Sequence, residues 1–156
     1  MQLTARTDYA IRTLLFVAMN PGRPVSVDEV RRAFGIERNT VAKVANELVQ
    51  RGYLTGKRGR GGGLQLTRSP EEIRLGTVVR EFEPTFDLLE CFSAKTNTCP
   101  IAGSCRLERV LHDARAAFFA VLDGKTVADV SLGAGAAKLL GLMEKKLDGS
   151  PRRAPR

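Results

Sequence analysis

The chain has 156 residues, with 25 Lys and Arg against 17 Asp and Glu, a formal net charge of +8 and a hydrophobic fraction of 43%. That length allows one small domain or a domain with an extended arm, and the apolar fraction is enough for a core. The apolar run Ile11 to Met19 is too short to span a bilayer, contains Arg12 and lacks a cleavage site, so neither a membrane span nor a signal peptide is expected. A cytoplasmic protein is expected, where disulfides are rare, and the odd cysteine count agrees.

Charge is unevenly spread. Residues 1–80 carry 14 Lys and Arg against 7 Asp and Glu, whereas residues 81–105 carry one Lys against four acids. A basic half followed by an acidic segment points to a polyanion-binding module joined to something else. Without any motif, the same balance would serve solubility alone.

Residues 8–19 have a helical pattern, with Thr7 as the expected N-cap and Asn20-Pro21-Gly22 as the stop. Ser26-Val27-Asp28-Glu29 fits a capping box and opens a short helix with Val27, Val30 and Phe34 at helical spacing, broken by Gly35. A third helix is expected from Arg38 to Gln50, with Val41, Val44, Ala45 and Leu48 on one face and Gly52 just beyond its end. Two short helices joined by a glycine turn form a helix-turn-helix pattern, which any three-helix bundle could also show. The next stretch strengthens it. Tyr53–Thr55 and Leu64–Thr67 alternate as short strands around the basic, glycine-rich Gly56–Gly63. That is a hairpin with a wing tip.

A phosphate-binding P-loop is disfavoured at this tip, since no Gly-Lys-Ser/Thr follows and no βαβ unit surrounds it. DNA contact is the stronger reading: Arg58 and Arg60 project from a slim backbone that can enter a narrow, negative minor groove. On the third helix Arg38, Asn39, Thr40, Lys43 and Asn46 face outward, where they could meet bases or phosphates in a major groove. Lys57 joins Arg38 and Lys43 as a phosphate-positioning group. The bland alternative is a solvated helix face.

Leu75 to Phe82 is expected as a further helix, after a turn at Ser69–Glu72. From about Cys105 to Leu122 runs the longest helical pattern, with Leu107, Leu111, Ala114, Phe118 and Val121 spaced as a seam for one partner helix. Because the N-terminal part is already a complete bundle, this seam is expected to form a dimer, placing two reading helices on a palindromic site. Thr126–Leu132 and Ala136–Leu147 read as further helical segments, and Gly149–Arg156 as a disordered tail.

All three cysteines lie within fifteen positions, as Cys91-x7-Cys99-x5-Cys105. They are set in a polar loop, where packing explains little. The spacing lacks the paired C-x2-C of zinc ribbons. Pro100 after Cys99 is a mild iron–sulfur cue, and Cys105 at a helix start is placed to favour a thiolate. On these residues an iron–sulfur cluster leads, with redox-active thiols, a zinc site and inert cysteines as the alternatives.

Leu3-Thr4 with Thr7-Asp8-Tyr9-Ala10, the wing Arg58–Gly63, Val79-Arg-Glu-Phe-Glu83 and Cys99-Pro100 with Cys105-Arg-Leu together resemble the NsrR-type repressors. These belong to the Rrf-two (Rrf2) superfamily of winged-helix regulators, alongside IscR. The likeness runs from the N-terminus to about residue 132. It implies a mostly α fold with a small β-wing: a winged helix-turn-helix over residues 1–83, a cluster-binding loop over 84–105 and a dimerisation helix with a short helix after it over 106–132. Residues 133–156 would be a C-terminal extension. It further implies a homodimer on double-stranded DNA at a palindromic operator, with nitric oxide as the signal. A [4Fe–4S] cluster would sit on Cys91, Cys99 and Cys105, with Asp8 from the partner subunit as fourth ligand. Asp8 also fits an ordinary role, an acid in a first helical turn with Arg12 at i+4.

Two departures stand out. Seven residues separate the first two cysteines, where NsrR-type chains usually have four or five. The IscR pattern has a histidine three residues after the last cysteine; here that residue is Glu108, and the single histidine, His112, reads as a helix-surface residue. This weakens an IscR-like [2Fe–2S] alternative, with its iron–sulfur or redox-responsive regulation, without removing it.

Overall fold

The computed structural model describes residues 2–57, 59 and 61–132. The readings made for Arg58, Arg60, the Ala136–Leu147 helix and the tail lie outside the described residues. The elements in order are α1 (Ala5–Ala18), α2 (Val27–Phe34), α3 (Arg38–Gln50), β1 (Leu54–Lys57), β2 (Gly63–Leu66), α4 (Leu75–Phe82), α5 (Arg106–Asp123) and α6 (Val127–Val130). Short 3-10 turns at Pro70–Glu72 and Glu90–Phe92 join them. Among the described residues no helix is long and apolar enough to cross a membrane.

Helix α1 begins three residues before its expected start. Thr4 is the N-cap, and its hydroxyl accepts from Thr7 N–H. The Glu83 carboxylate completes the cap: it accepts from Thr4 N–H at 3.1–3.2 Å and from the Thr4 hydroxyl at 3.1 Å, and Thr7 also donates its hydroxyl to it. Thr7 is therefore fully buried inside the first turn. A partner 79 residues away in sequence decides this boundary, which local pattern could not show.

Helix α2 has the expected capping box. Glu29 N–H donates to Ser26 Oγ at 3.2 Å, and Glu29 Oε2 accepts from Ser26 N–H at 2.8 Å. Gly35 closes the helix at φ +65°, a left-handed conformation in which glycine carries no Cβ penalty. The α2–α3 turn is short, and Ile36 within it is buried. Helix α3 then buries Val41, Val44, Ala45 and Leu48, the face its periodicity marks.

The hairpin pairs Leu54 with Leu66 and Lys57 with Gly63 in antiparallel register. Val25 adds a third edge, exchanging two backbone hydrogen bonds of 2.7 and 2.9 Å with Leu64. A Cβ at Gly63 would lie 2.8 Å from the Val25 carbonyl oxygen, so glycine is what lets these backbones approach.

One core joins these pieces. Helix α1 contacts α2, α3, α4, α6 and β2, and Leu14, Leu48, Leu54, Val78 and Phe82 are among the fully buried side chains at its centre. Val127 belongs to the same core at 0% exposure, so the chain returns to the N-terminal body after α5. Backbone hydrogen bonds from Val127 to Ile73 and from Leu75 to Lys125, both 2.9 Å, fix that return. At the α4–α5 contact Arg80 donates to both Asp123 oxygens at 2.6 and 2.7 Å, and its guanidinium lies 4.1 Å from the Phe119 ring centroid. Asp123 is held below the usual carboxylate range by that pairing.

No residue of α5 is fully buried. Leu107, Val110 and Val121 are each more than half exposed, and Ala114 and Ala117 are exposed between them. Of the expected seam, Leu111 and Phe118 are half-buried and the other three are exposed. Among the described residues the apolar stripe is thus uncovered.

Candidate nucleic-acid interface and cysteine loop

The presented face of α3 follows from its cap. Glu37 is the N-cap, its carboxylate accepting from Thr40 N–H at 2.9 Å. The backbone N–H groups of Asn39 and Thr40 hold the Glu37 carboxyl below its ordinary value. Turning away from the buried stripe, Arg38, Asn39, Lys43 and Asn46 are exposed and Thr40 is half-buried. Arg38 donates Nε–H to Asp28 Oδ1 on α2 at 3.2 Å. Lys57, also exposed, ends β1 where the wing begins. The structure therefore brings the α3 set onto one open face, with Lys57 at the root of the wing.

The cysteine loop lies between α4 and α5. Cys91 is in the 3-10 turn, Cys99 follows an Asn97 turn in which its N–H donates to Asn97 Oδ1 at 3.0 Å, and Cys105 is the N-cap of α5. Cys105 makes no side-chain capping hydrogen bond. All three thiols are half-buried and none is in a disulfide. Partial desolvation raises the Cys91 thiol above its ordinary value, and Glu108 with the Cys99 and Cys105 sulfurs adds to this; the three sulfurs share one electrostatic neighbourhood. Among the described residues, no three His, Cys, Asp or Glu side chains close around a single metal ion. The fit to a metal group therefore rests on donor chemistry: three soft, unbridged sulfurs on one accessible loop, suited to a thiophilic metal or an iron–sulfur cluster.

Side chains that sequence reasoning missed brace this loop. Phe92, next to Cys91, stacks on His112 with ring centroids 4.2 Å apart and planes 8° from parallel. Arg115 lies 4.6 Å from the centroid of the same Phe92 ring, and its Nη2 is 3.2 Å from His112 Nδ1. His112 is exposed, as expected of a helix-surface residue, and its ring also holds the Cys91 turn to α5. Glu108 accepts from Gly103 N–H at 2.8 Å, tying the loop to the first turn of the helix. The i, i+3 spacing of His112 and Arg115 was visible, but the path bringing Phe92 against both was not.

Asp8 lies in the first turn of α1 and forms the expected pair with Arg12, at 2.8 Å to Nε and 2.7 Å to Nη2. Both side chains are about two-fifths exposed, 41% and 42%. An exposed i, i+4 pair contributes about 0.3–0.5 kcal/mol, so Asp8 is only lightly held.

Comparison with known proteins places this architecture in a family. The model of the family described as "Rrf2: Iron-dependent Transcriptional regulator" matches residues 3–132. The chain belongs to the Rrf2 family. Over 133 residues it is 44% identical to the HTH-type transcriptional regulator NsrR of Shouchella clausii (strain KSM-K16), covering 85% of this chain and 89% of that one. Its identity to the HTH-type transcriptional regulator NsrR of Bacillus subtilis (strain 168) is 42% over 131 residues, covering 83% and 90%. Two solved structures share the Rrf2 fold at low identity. CymR (YrzC), the global cysteine regulator of B. subtilis, aligns with a TM-score of 0.69 at 20% identity over 84% of this chain and 96% of that one. IscR of T. potens aligns with a TM-score of 0.66 at 18% identity, covering 99% and 94%. This Rrf2 protein is therefore an NsrR-type transcriptional regulator and not an enzyme, mostly helical with a small two-stranded wing.

Proposed function

We propose that this regulator is a cytoplasmic homodimeric repressor that holds a palindromic operator and releases it when nitric oxide reaches an iron–sulfur cluster, a [4Fe–4S] cluster, on the cysteine loop. The observation that carries the reading is the gathering of three half-buried, unbridged thiols on the loop that runs into α5, behind a winged helix. Cys91, Cys99 and Cys105 would hold the cluster, with Asp8 of the partner subunit as fourth ligand. When bound, such a cluster supplies iron that reacts with nitric oxide.

The chain's own residues supply the rest. Arg38, Asn39, Thr40, Lys43 and Lys57 meet the DNA, with Arg58 and Arg60 at the wing tip in the minor groove. The exposed stripe of α5 takes the same helix of a second subunit, which sets two α3 helices on a two-fold site. Asp8 leaves Arg12 to act as ligand, at the small cost worked out above. Glu83 ties the start of α1, which carries Asp8, to the end of α4, where the cysteine segment begins. Helix α1 also packs on α3, so a change at the loop has a packed route to the reading helix. Repression is relieved only if the two loop states differ in operator affinity.

Anaerobic purification with an absorbance spectrum, iron and sulfide counts and nitric oxide addition tests this. About four irons and four sulfides per subunit, with absorbance and operator shift both lost to nitric oxide, are expected. About two of each would point to an IscR-like regulator. Colourless, iron-free protein, or operator binding unchanged after nitric oxide, would refute the sensor.

A further inference from the structure

We infer that Arg38 reads a guanine in each operator half-site, with Asp28 as the residue that positions it. This rests on the DNA-binding reading of α3 and makes it specific to one side chain and one base. Arg38 is the first residue of α3, the end of a recognition helix that meets base edges. Its side chain is 60% exposed and stands clear of the core. The Asp28 carboxylate on α2 accepts from its Nε–H at 3.2 Å, which orients the guanidinium without using its far end. Among the described residues the two terminal nitrogens of Arg38 have no hydrogen-bond partner. Those two donors form the fork that matches guanine O6 and N7.

Electrostatics separate this role from a phosphate contact. A phosphate ligand acts through net positive charge, and a carboxylate 3.2 Å from the guanidinium offsets that charge and repels the phosphate. Guanine O6 and N7 are neutral acceptors, so they need directed donors and lose little from the nearby anion. Lys43, exposed on the same face, suits a phosphate better. Asp28 also stands 3.7 Å from Arg31 Nε, so the brace is itself held from within α2. Neither helix alone creates the arrangement: the tight turn at Gly35 brings residue 28 of one to residue 38 of the next.

The test selects duplexes from a randomised pool with the full-length, anaerobically reconstituted protein. The selected duplex is then titrated with wild type, Arg38→Ala, Arg38→Lys and Asp28→Asn, against duplexes carrying each guanine replaced by adenine or by 7-deazaguanine. Wild type should discriminate at one symmetric guanine pair by about 5- to 150-fold, the range of one bidentate contact. Arg38→Ala and Arg38→Lys should bring discrimination at that pair close to one while other positions keep theirs. Asp28→Asn should reduce it partly and only there. Circular dichroism confirms that each variant is folded. Should Arg38→Ala weaken binding equally on every duplex and reduce the salt slope by about one, Arg38 would be a phosphate contact and the inference wrong. Wild type that enriches no sequence would overturn the sequence-reading role of α3 as well, and the two failures are thereby told apart.

Discussion

Glu83 gives the sharpest test of the fold, because one exposed-looking acid at the end of α4 caps the first turn of α1. Three donors converge on its carboxylate: Thr4 N–H, the Thr4 hydroxyl and the Thr7 hydroxyl. Glu83→Ala removes every acceptor. The two hydroxyls lie 3.1 Å apart and can pair with each other, so the Thr4 N–H bears the main loss. A hydrogen bond to a charged group contributes about 1.5–3 kcal/mol, and an anion at a helix N-terminus about 0.3–1 kcal/mol. Discounted for partial exposure, the expected cost of Glu83→Ala is about 2–3 kcal/mol. Glu83→Gln keeps one acceptor oxygen but loses the charge, and about 1–1.5 kcal/mol is expected. Urea titration followed by far-UV circular dichroism reads both, with the m-value unchanged if only the cap is lost. In a chain of this size, Glu83→Ala should lower Tm by about 4–12 °C. If both variants melt within about 0.5 kcal/mol of wild type, Glu83 is not the cap and the reasoning that ties α1 to α4 fails.

Other expectations follow from the same geometry. At Gly76 an alanine Cβ would stand 1.9 Å from Asp123 Oδ1, so Gly76→Ala should expel Asp123 from Arg80 and lower Tm despite the about 0.5–1 kcal/mol that alanine gains in a helix interior; a raised Tm would mean that the α4–α5 pairing contributes little. Burial works to raise the Glu29 carboxyl, but the Ser26 backbone and hydroxyl and Arg23 outweigh it and hold it below its ordinary 4.5. A carboxyl depressed in the folded state contributes stability that is present above pH 4.5 and lost as pH falls through the folded value, so Glu29→Gln should flatten the acid limb of a stability–pH curve. An acid limb identical to wild type would contradict it. Val110→Asp, on the exposed stripe of α5, should halve the mass seen by sedimentation and abolish the operator shift while the far-UV circular dichroism spectrum stays that of wild type; an unchanged mass would remove α5 from the interface.

Much of the fold was legible because it is written locally. Ser26 and Glu29 stand three apart, Gly35 follows the last apolar position of α2, and Leu75–Phe82 carries its own helical pattern; each boundary falls where the pattern puts it. The face of α3 and the grouping of cysteines were readable for the same reason. What escaped was set by long-range contacts. Thr4 rather than Thr7 caps α1 because Glu83 arrives from the other end of α4. Val25 pairs with Leu64 of the second strand although Val25 itself lies in no run that marks a strand. The Phe92–His112 stack depends on the path of an irregular loop, and Val127 sits in the N-terminal core because residues 73–75 and 125–127 run side by side. The Asp8–Arg12 pair was foreseen because it is an i, i+4 contact, whereas the ligand role proposed for Asp8 would need a second subunit.

The unequal anchoring of α5 has a mechanical consequence. Its C-terminal end is fixed to the body by Arg80, Asp123 and the buried return at Val127, whereas the contacts of its N-terminal end among the described residues are with the cysteine loop. Eighteen residues make the helix about 27 Å long, so a tilt of about 5° about the fixed end carries Cys105 through about 2 Å. The long arm magnifies displacement in one direction: a small change of angle at residue 123 becomes a shift of the size of a bond length or more at the loop. Substitutions at Gly76 or Phe119, which touch the fixed end, are therefore expected to alter the angle of α5 and with it the position of Cys105.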